Sequence, residues 1–255
     1  MFSLIYSIGS YALFLLVFVG FALFSDGIFM PASTGAVGGV SVGSAVAVDL
    51  GLILLFGVQH SVMARSGFKR VLTQALPAHL ERATFVLVSS LVLAVLIAYF
   101  RPFGGVVWSV QNEQAVSALW IVNALGWVGV PLSSLMIDHF ELFGVKQAFV
   151  HFRRTSFEPR GFVTPLLYKY VRHPMMTSIL VGLWVTPQMT ASHLLLSVGM
   201  TVYVLIGVHF EERALIRELG IDYERYRAST PKFLPSGPRA VLSHESSTRA
   251  PRESV

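Results

Sequence analysis

The chain alternates long apolar stretches with short polar segments, and this pattern predicts a membrane protein. A helix that crosses a bilayer needs about 20 mostly apolar residues. Such stretches run over about residues 4–24, 45–63, 83–100, 117–137, 175–187 and 190–209. The fifth is short for a full crossing, so we expect either an earlier start or one arm of a tight hairpin that closes at Thr186–Thr190. We therefore predict an all-α integral membrane protein with five or six transmembrane helices and a C-terminal helical hairpin.

The segments outside these stretches complete the predicted organisation. Loop 25–44 is rich in Gly, Ser, Ala and Val, which is typical of a flexible extracytoplasmic connector. Residues 1–235 are predicted to form one membrane-embedded domain, and residues 236–255 a disordered cytoplasmic tail with almost no apolar content. No basic residue precedes the first apolar stretch, so we interpret it as a retained span rather than a signal peptide.

The composition agrees with this class of protein. Of the 255 residues, 54% are hydrophobic and only 13% are charged, whereas soluble domains carry about 25% charged residues. The chain has no cysteine, which excludes disulfides, thiolate catalysis and cysteine-based metal sites. We expect no metal, and the sequence leaves the oligomeric state open.

The basic residues are distributed unevenly along the chain. All of the 19 Lys and Arg residues except Arg101 fall between the second and third stretches, between the fourth and fifth, or after the last. Basic loops remain in the cytoplasm, so six spans would place both termini on the cytoplasmic side of a bacterial-type inner membrane. Topology thus accounts for the net charge of +5, and we do not expect a nucleic-acid partner.

Ionisable side chains collect at the predicted cytoplasmic ends of four helices. They are His60; Asp138, His139 and Glu141; Arg172 and His173; and His209, Glu211 and Glu212. Each alone is compatible with a capping or snorkelling residue, but ionisable groups at a membrane are costly and commonly functional. Four groups at one depth favour a site.

The sequence Arg172-His173-Pro174 stands at the start of the fifth apolar stretch. Proline favours the first turn of a helix, and the residue before it is held extended. The free N–H groups of a helix start attract anions, and Arg172 offers a planar partner for a carboxylate. This would suit the amino-acid end of S-adenosylmethionine. The alternative is a capping proline beside an arginine that serves only topology.

The last apolar stretch adds a row of residues at four-residue spacing, which places them on one helix face. They are Gly199, Tyr203, Gly207 and Glu211. The two glycines allow another helix or a flat ligand to approach closely. Beyond Gly220, a short amphipathic stretch carries Tyr223 and Tyr226. The alternative for that stretch is an interfacial helix on the lipid headgroups.

Taken in order, these C-terminal motifs resemble the isoprenylcysteine carboxyl methyltransferase-like superfamily, which also includes phospholipid methyltransferases. The signature covers residues 168–235. The resemblance implies that S-adenosylmethionine binds this stretch from the cytoplasmic side. The cofactor-binding residues expected from it are Tyr170, Arg172, His173, Pro174, Glu211, Glu212, Tyr223 and Tyr226. Arg172 and the helix start would hold the carboxylate, a glutamate the ribose or amino group, and the last two tyrosines the adenine.

A second resemblance spans nearly the whole chain. It rests on QHSVMAR at 59–65, LERATFVLVSSL at 80–91, PFGGVVW at 102–108, DHFELFG at 138–144 and the segment VRHPMM. These segments are similar to membrane-bound methanethiol S-methyltransferases and their relatives linked to nitrite and nitric-oxide metabolism. Met176 stands where carboxyl methyltransferases commonly have a tyrosine, which favours the thiol-methylating branch.

The resemblance implies methylation of a small volatile thiol, methanethiol to dimethyl sulfide, with hydrogen sulfide as another acceptor. The thiolate is the attacking form, so a base is needed, and the catalytic candidates are His60, His139 and His173. The thiol would enter from the lipid bilayer near Met175, Met176 and Trp184. Two alternatives are an isoprenylcysteine- or lipid-type methyltransferase and a non-enzymatic membrane accessory protein that retains the fold.

Overall fold

Helices make up most of residues 1–28, 41–157 and 161–235, which are the residues that the computed structural model describes. In chain order they are α1 (Phe2–Ser25), α2 (Val42–Met63), α3 (Ser66–Ala75), α4 (Glu81–Tyr99), α5 (Glu113–Ile137), α6 (His139–Leu142), α7 (Val145–Arg153), α8 (Pro174–Trp184), α9 (Ala191–Leu219) and α10 (Ile221–Ser229). Within the described ranges, α1, α2, α4, α5 and α9 are long and apolar enough to cross a membrane. The predicted all-α membrane fold is confirmed.

The fifth apolar stretch forms a half-length helix. Helix α8 has 11 residues, or roughly 16 Å at 1.5 Å per residue, whereas the hydrocarbon core of a bilayer is about 30 Å thick. The chain then forms strand β2 (Gln188–Thr190), which pairs antiparallel with β1 (Val106–Ser109) before α9 begins. The hydrophobic pattern did not predict this small sheet.

Helix α9 extends beyond the end that the apolar pattern predicts. The pattern ends near residue 209, but α9 runs for 29 residues to Leu219. Gly220 then ends it with a positive φ of 57°, a conformation that glycine adopts without steric cost. Glu211 and Glu212 therefore lie within a continuous helix rather than beyond its end.

Side-chain contacts give the relative directions of the helices. Tyr6 bonds to Thr84 near the starts of α1 and α4, and the Phe24 and Phe100 rings meet at their far ends, so these helices are parallel. Helices α5 and α8 are antiparallel, because Asn123 donates to the carbonyl of Gly182 at the end of α8. The six apolar segments thus alternate in direction.

This alternation separates two ends of the bundle. The basic end holds segments 64–80, 138–157, 161–173 and 210–235, and the far end holds 26–28, 100–112 and 185–190. Asp26 and Asn123 form a hydrogen bond at the far end, where Arg101 also donates its backbone N–H to Asp49. Residues 29–40 of the predicted connector, and the predicted tail 236–255, lie outside the described residues.

The buried core occupies the half of the bundle nearest the far end. It is formed by Phe21, Ala22, Phe24, Ile53, Phe56, Leu96, Phe100, Trp127, Leu183, Leu196 and Met200. These residues come from every spanning helix and from α8. Buried charged side chains, Arg172, His173 and Glu212, lie at the basic end instead.

Candidate active site

The residue before Pro174 is non-helical, as expected, although His173, with φ −125° and ψ 62°, is not fully extended. Residues 172 and 173 pair through their backbones with the segment after α10: Arg172 N–H donates to Pro231 O at 2.9 Å and His173 N–H to Lys232 O at 3.1 Å. Pro174 is the first residue of α8. This pairing fixes both side chains beside the last third of α9.

Glu212 is the centre of a charged cluster between α8, α9 and α10. Its Oε1 accepts from Arg172 Nε at 2.9 Å and lies 2.8 Å from Arg172 Nη2, and His173 Nε2 lies 3.1 Å from the same oxygen. Lys232 Nζ is 3.1 Å from Oε2. Arg172 Nη1 donates to the carbonyl oxygens of Arg227 and Thr230. The guanidinium donors are therefore engaged within the protein.

Glu211, the adjacent residue, faces a different environment. Its side chain is 50% exposed, compared with 9% for Glu212, and its Oε2 lies 3.7 Å from His173 Nδ1. Burial, with the Glu211 carboxylate acting in the same direction, raises the pKa of the nearby Tyr168 to about 12. Glu211 thus borders an accessible space that His173 and Tyr168 also line.

The close contact between α2 and α9 does not continue along α9 to Gly207. The helices are in close contact where a Cβ on Gly199 would lie 3.0 Å from Ile53, and again where a Cβ on Gly57 would lie 3.2 Å from the Tyr203 ring. Two turns beyond Gly199, a Cβ on Gly207 would meet no atom within 4 Å. We call this space, between Tyr203 and Glu211 along α9, the Gly207 gap.

His60 borders the Gly207 gap from α2. Its Nδ1 lies 2.7 Å from the Tyr203 hydroxyl, and its ring packs against Phe56 and Phe85, with centroids 5.6 and 4.8 Å away. Within the described ranges, Nε2 of His60 makes no hydrogen bond. The same face of α9 therefore carries Tyr203, which bonds to the His60 imidazole, and the accessible carboxylate of Glu211.

Comparison with known proteins assigns the chain to a family. The model of the NnrU protein family matches residues 50–241. The chain belongs to the NnrU family. It is 42% identical to a methanethiol S-methyltransferase of Mycobacterium tuberculosis over 91% of this chain and 96% of the relative. It is 44% identical to methanethiol S-methyltransferase 2 of Bradyrhizobium diazoefficiens over 91% and 89%.

A more distant relative of this NnrU-family chain comes from an animal. Nurim of Sus scrofa is 31% identical over 67% of this chain and 68% of its own length. No solved structure was found to match the chain. The bacterial relatives match about nine-tenths of the chain, so the similarity extends well beyond the C-terminal signature.

His139 lies in a separate cluster of the NnrU-family structure. Both of its ring nitrogens are engaged, Nε2 with the Tyr11 hydroxyl at 2.7 Å and Nδ1 with Ser134 Oγ at 2.6 Å. Burial lowers the pKa of His139. In the described part of the chain, no hydrogen bond or ring contact joins it to His60 or His173. It ties α6 to α1 and α5.

The predicted cofactor tyrosines differ in exposure. Tyr170 is exposed, whereas Tyr223 is buried, and burial together with the Glu212 carboxylate raises its pKa to about 12. Tyr226 donates to the Tyr168 carbonyl at 2.5 Å, and burial raises its pKa. Tyr223 and Tyr226 also contact the Phe162 ring. These two tyrosines hold α10 against the segment before α8.

Sequence reasoning missed three residues of this site. The spacing of Tyr203 from Glu211 predicts that both lie on one face of α9, but it does not predict the contact of Tyr203 with His60. Tyr168 and Lys232 had no signal, because their positions depend on how the segments around α8 and α10 pair. Among the described residues, no three His, Asp or Glu side chains form a group that could hold a metal ion.

Proposed function

We propose that this protein transfers a methyl group from S-adenosylmethionine to methanethiol and releases dimethyl sulfide. The supporting observation is that one face of α9 joins the accessible carboxylate of Glu211 to the His60–Tyr203 pair. The bacterial relatives, which match over nine-tenths of the chain and are named for this reaction, support the same choice of acceptor. The donor supplies an electrophilic methyl group, so the protein must provide binding, alignment and a base.

The residues around Glu211 fit the amino-acid end of the donor. Glu211 has an accessible carboxylate for an ammonium group, and its one ion pair in the described ranges is the 3.7 Å contact with His173. The donor's carboxylate would bind the free N–H groups of Met175 and Met176 at the start of α8. Lys232, whose side chain is 38% exposed, adds a positive charge beside them.

This arrangement changes the role that we propose for Arg172. The sequence suggested that it binds the donor's carboxylate, but Glu212 and two backbone carbonyls occupy its donors. We propose that Arg172 and Glu212 position the start of α8 and the turn after α10. Pro174 begins the first turn of α8, and the exposed ring of Tyr170 offers an aromatic surface to the donor.

The histidines receive different roles in this proposal. His60 is the base, because its Nε2 has no hydrogen-bond partner among the described residues and its ring packs against Phe56 and Phe85. His173 orients Glu211, and His139 supports the α1–α5–α6 contact. Hydrogen sulfide, which is smaller than methanethiol, is a second acceptor of the same chemistry. The basic end faces the cytoplasm, as the positive-inside rule requires.

A titration tests the donor site. We expect purified protein to bind S-adenosylmethionine and Glu211→Gln to weaken binding about tenfold to a hundredfold, because a charged hydrogen bond contributes about 1.5–3 kcal/mol. Glu224→Gln, an exposed carboxylate on α10, is the matched control and should bind as the wild type does. Equal affinities of the wild type, Glu211→Gln and Glu224→Gln for S-adenosylmethionine would contradict the proposed role of Glu211 in donor binding.

An acceptor panel separates this function from its alternatives. Methanethiol, hydrogen sulfide, an isoprenylated cysteine and a phosphatidylethanolamine are offered with methyl-labelled donor. We expect label to enter methanethiol as dimethyl sulfide. Label in the lipid or the prenylcysteine alone would favour those enzyme classes, and the absence of donor binding would favour a non-enzymatic protein.

A further inference from the structure

The Gly207 gap is open space on the face of α9 that carries Tyr203, because a Cβ on Gly207 would meet no atom within 4 Å. Helices α2 and α9 are parallel, and Gly57 faces Tyr203, so the next turn of α2, with His60, lies level with Gly207. The gap is closed toward the basic end where Arg65 lies over the Phe210 ring, 4.1 Å from its centroid. The open stretch of α9 between Tyr203 and Phe210 is about two helical turns long, which suits a small acceptor.

Tyr203 determines which nitrogen of His60 is available to that molecule. A neutral imidazole has one N–H and one lone pair, and the hydrogen bond at one nitrogen fixes the role of the other. If Nδ1–H donates to the Tyr203 oxygen, 2.7 Å away, then the lone pair lies on Nε2. That nitrogen has no partner among the described residues.

We infer that the Gly207 gap is the acceptor subsite and that Tyr203 is a positioning residue that keeps His60 in the tautomer with a basic Nε2. This inference rests on the proposed function and deepens it. The S–H proton passes to Nε2, and the thiol sulfur forms a bond to the methyl carbon. The electron pair of the broken carbon–sulfur bond remains on the donor, which becomes a neutral thioether. His60 then releases the proton to solvent.

Few charged groups lie near His60 in the described part of the chain. Helix α4 presents the Phe85 ring and α9 the Tyr203 hydroxyl. Glu211 lies two turns along α9, and Arg65 is stacked on Phe210. One turn before Phe85 on α4, Glu81 is paired with Lys69 at 3.7 Å.

The pH dependence of turnover tests the role of Tyr203. We expect Tyr203→Phe to lower kcat/KM for methanethiol about tenfold near pH 7, the effect of about 1.4 kcal/mol. The deficit should shrink as the pH rises toward the pKa of the thiol, because more thiolate then forms without a base. Donor affinity should not change. Tyr6→Phe is the control, because it removes a tyrosine hydroxyl that bonds to Thr84 rather than to His60. It should match the wild type at every pH.

Two outcomes would overturn this role. A deficit of equal size at every pH would indicate a merely structural tyrosine, and no deficit would exclude it. Nitrogen-15 NMR of labelled histidine gives an independent reading, with His60→Asn used to assign the signal. We expect an Nδ1–H tautomer in the wild type and a shift toward Nε2–H in Tyr203→Phe. An Nε2–H tautomer in the wild type would refute the inference even if no turnover were found with any thiol.

A second variant tests the subsite itself. Gly207→Leu should fill the gap and raise the KM for methanethiol at least tenfold while donor affinity stays unchanged. Gly51→Leu is the matched control, because a Cβ there also meets no atom within 4 Å. An unchanged KM in Gly207→Leu, or a loss confined to donor affinity, would place the acceptor elsewhere. Failure of the wild type to methylate any thiol would instead contradict the proposed function.

Discussion

At the scale of single residues, two adjacent glutamates face different surroundings because consecutive positions on a helix differ by about 100°. Glu212 points between α8 and α10, where Arg172, His173 and Lys232 surround it. Glu211 points toward His173 Nδ1 and is half exposed. We therefore expect the loss of Glu212 to affect folding and the loss of Glu211 to affect ligand binding.

Replacing Glu212 should destabilise the protein. Glu212→Gln leaves the buried Arg172 guanidinium without a countercharge, and breaking a buried pair from one side costs roughly 3 kcal/mol or more. Thermal unfolding in detergent should show a clear loss for Glu212→Gln and none for Glu224→Gln. An unchanged unfolding temperature for Glu212→Gln would show that the cluster does not hold α8, α9 and α10 together.

Asp138 should contribute stability that depends on pH. Burial raises its pKa, but hydrogen bonds from Lys146 and the Glu141 N–H outweigh burial and hold the pKa below the ordinary 3.8. A lowered folded-state pKa stabilises the fold above about pH 4, and this contribution is lost as the pH falls through the lowered value. Asp138→Asn, which can still cap α6, should cost under about 1 kcal/mol near neutral pH.

Unfolding measured between about pH 3 and pH 7 checks this sign. The difference between Asp138→Asn and the wild type should narrow as the pH falls below about 4. A difference that stays constant or widens in acid would mean that the Asp138 charge does not stabilise the fold.

The sequence predicts which residues belong to the site better than it predicts where their side chains point. Arg172, His173, Glu211 and Glu212 were expected together, and the structure does bring them together. The inward direction of Arg172 was not predictable, because its partners Arg227 and Thr230 are brought close only by the tertiary fold. The partner of His139 is Tyr11, 128 positions away, and no local pattern indicates it.

At the scale of elements, α5 and α8 pack with their backbones in close contact. A Cβ on Gly126 would lie 2.6 Å from the Gly182 backbone nitrogen and 3.1 Å from the Ser178 carbonyl oxygen. Backbone atoms cannot move aside as a flexible side chain can. This contact sets the position of α8, and with it the segment that carries Arg172 and His173.

A pair of glycine substitutions tests the contact. Gly126→Ala should cost roughly 1–3 kcal/mol from overpacking. Gly51→Ala, in open space on another spanning helix, should be neutral or slightly stabilising because alanine favours helix. Thermal unfolding in detergent distinguishes them, and equal behaviour of the two variants would contradict the close packing of α5 on α8.

The positions of the spanning helices followed from hydrophobicity, but their ends did not always do so. The polar run after Val208 marked an apparent end of the last span. However, Glu, Arg, Ala and Leu are strong helix formers, and the ion pairs of Glu212 keep this part of α9 folded against α8. The β1–β2 pairing joins segments about eighty residues apart, which a periodicity within one segment cannot reveal.

At the scale of the whole molecule, the alternating helix directions place every basic segment at one end. The positive-inside rule then predicts that this end lies in the cytoplasm. Because the chain has no cysteine, single cysteines report on each end. Gln111→Cys should react with an impermeant maleimide in intact spheroplasts, whereas Arg225→Cys should react only after lysis. The reverse pattern would place the site on the outer face.

Methyl transfer by the intact protein is measured most directly as labelled dimethyl sulfide. Purified wild-type protein is incubated with methyl-labelled S-adenosylmethionine and methanethiol, and the headspace is analysed by mass spectrometry. We predict dimethyl sulfide carrying one labelled methyl group for each donor molecule consumed, at a rate that falls in Glu211→Gln and not in Glu224→Gln. Folded wild-type protein that consumes no donor and releases no labelled dimethyl sulfide would contradict the account.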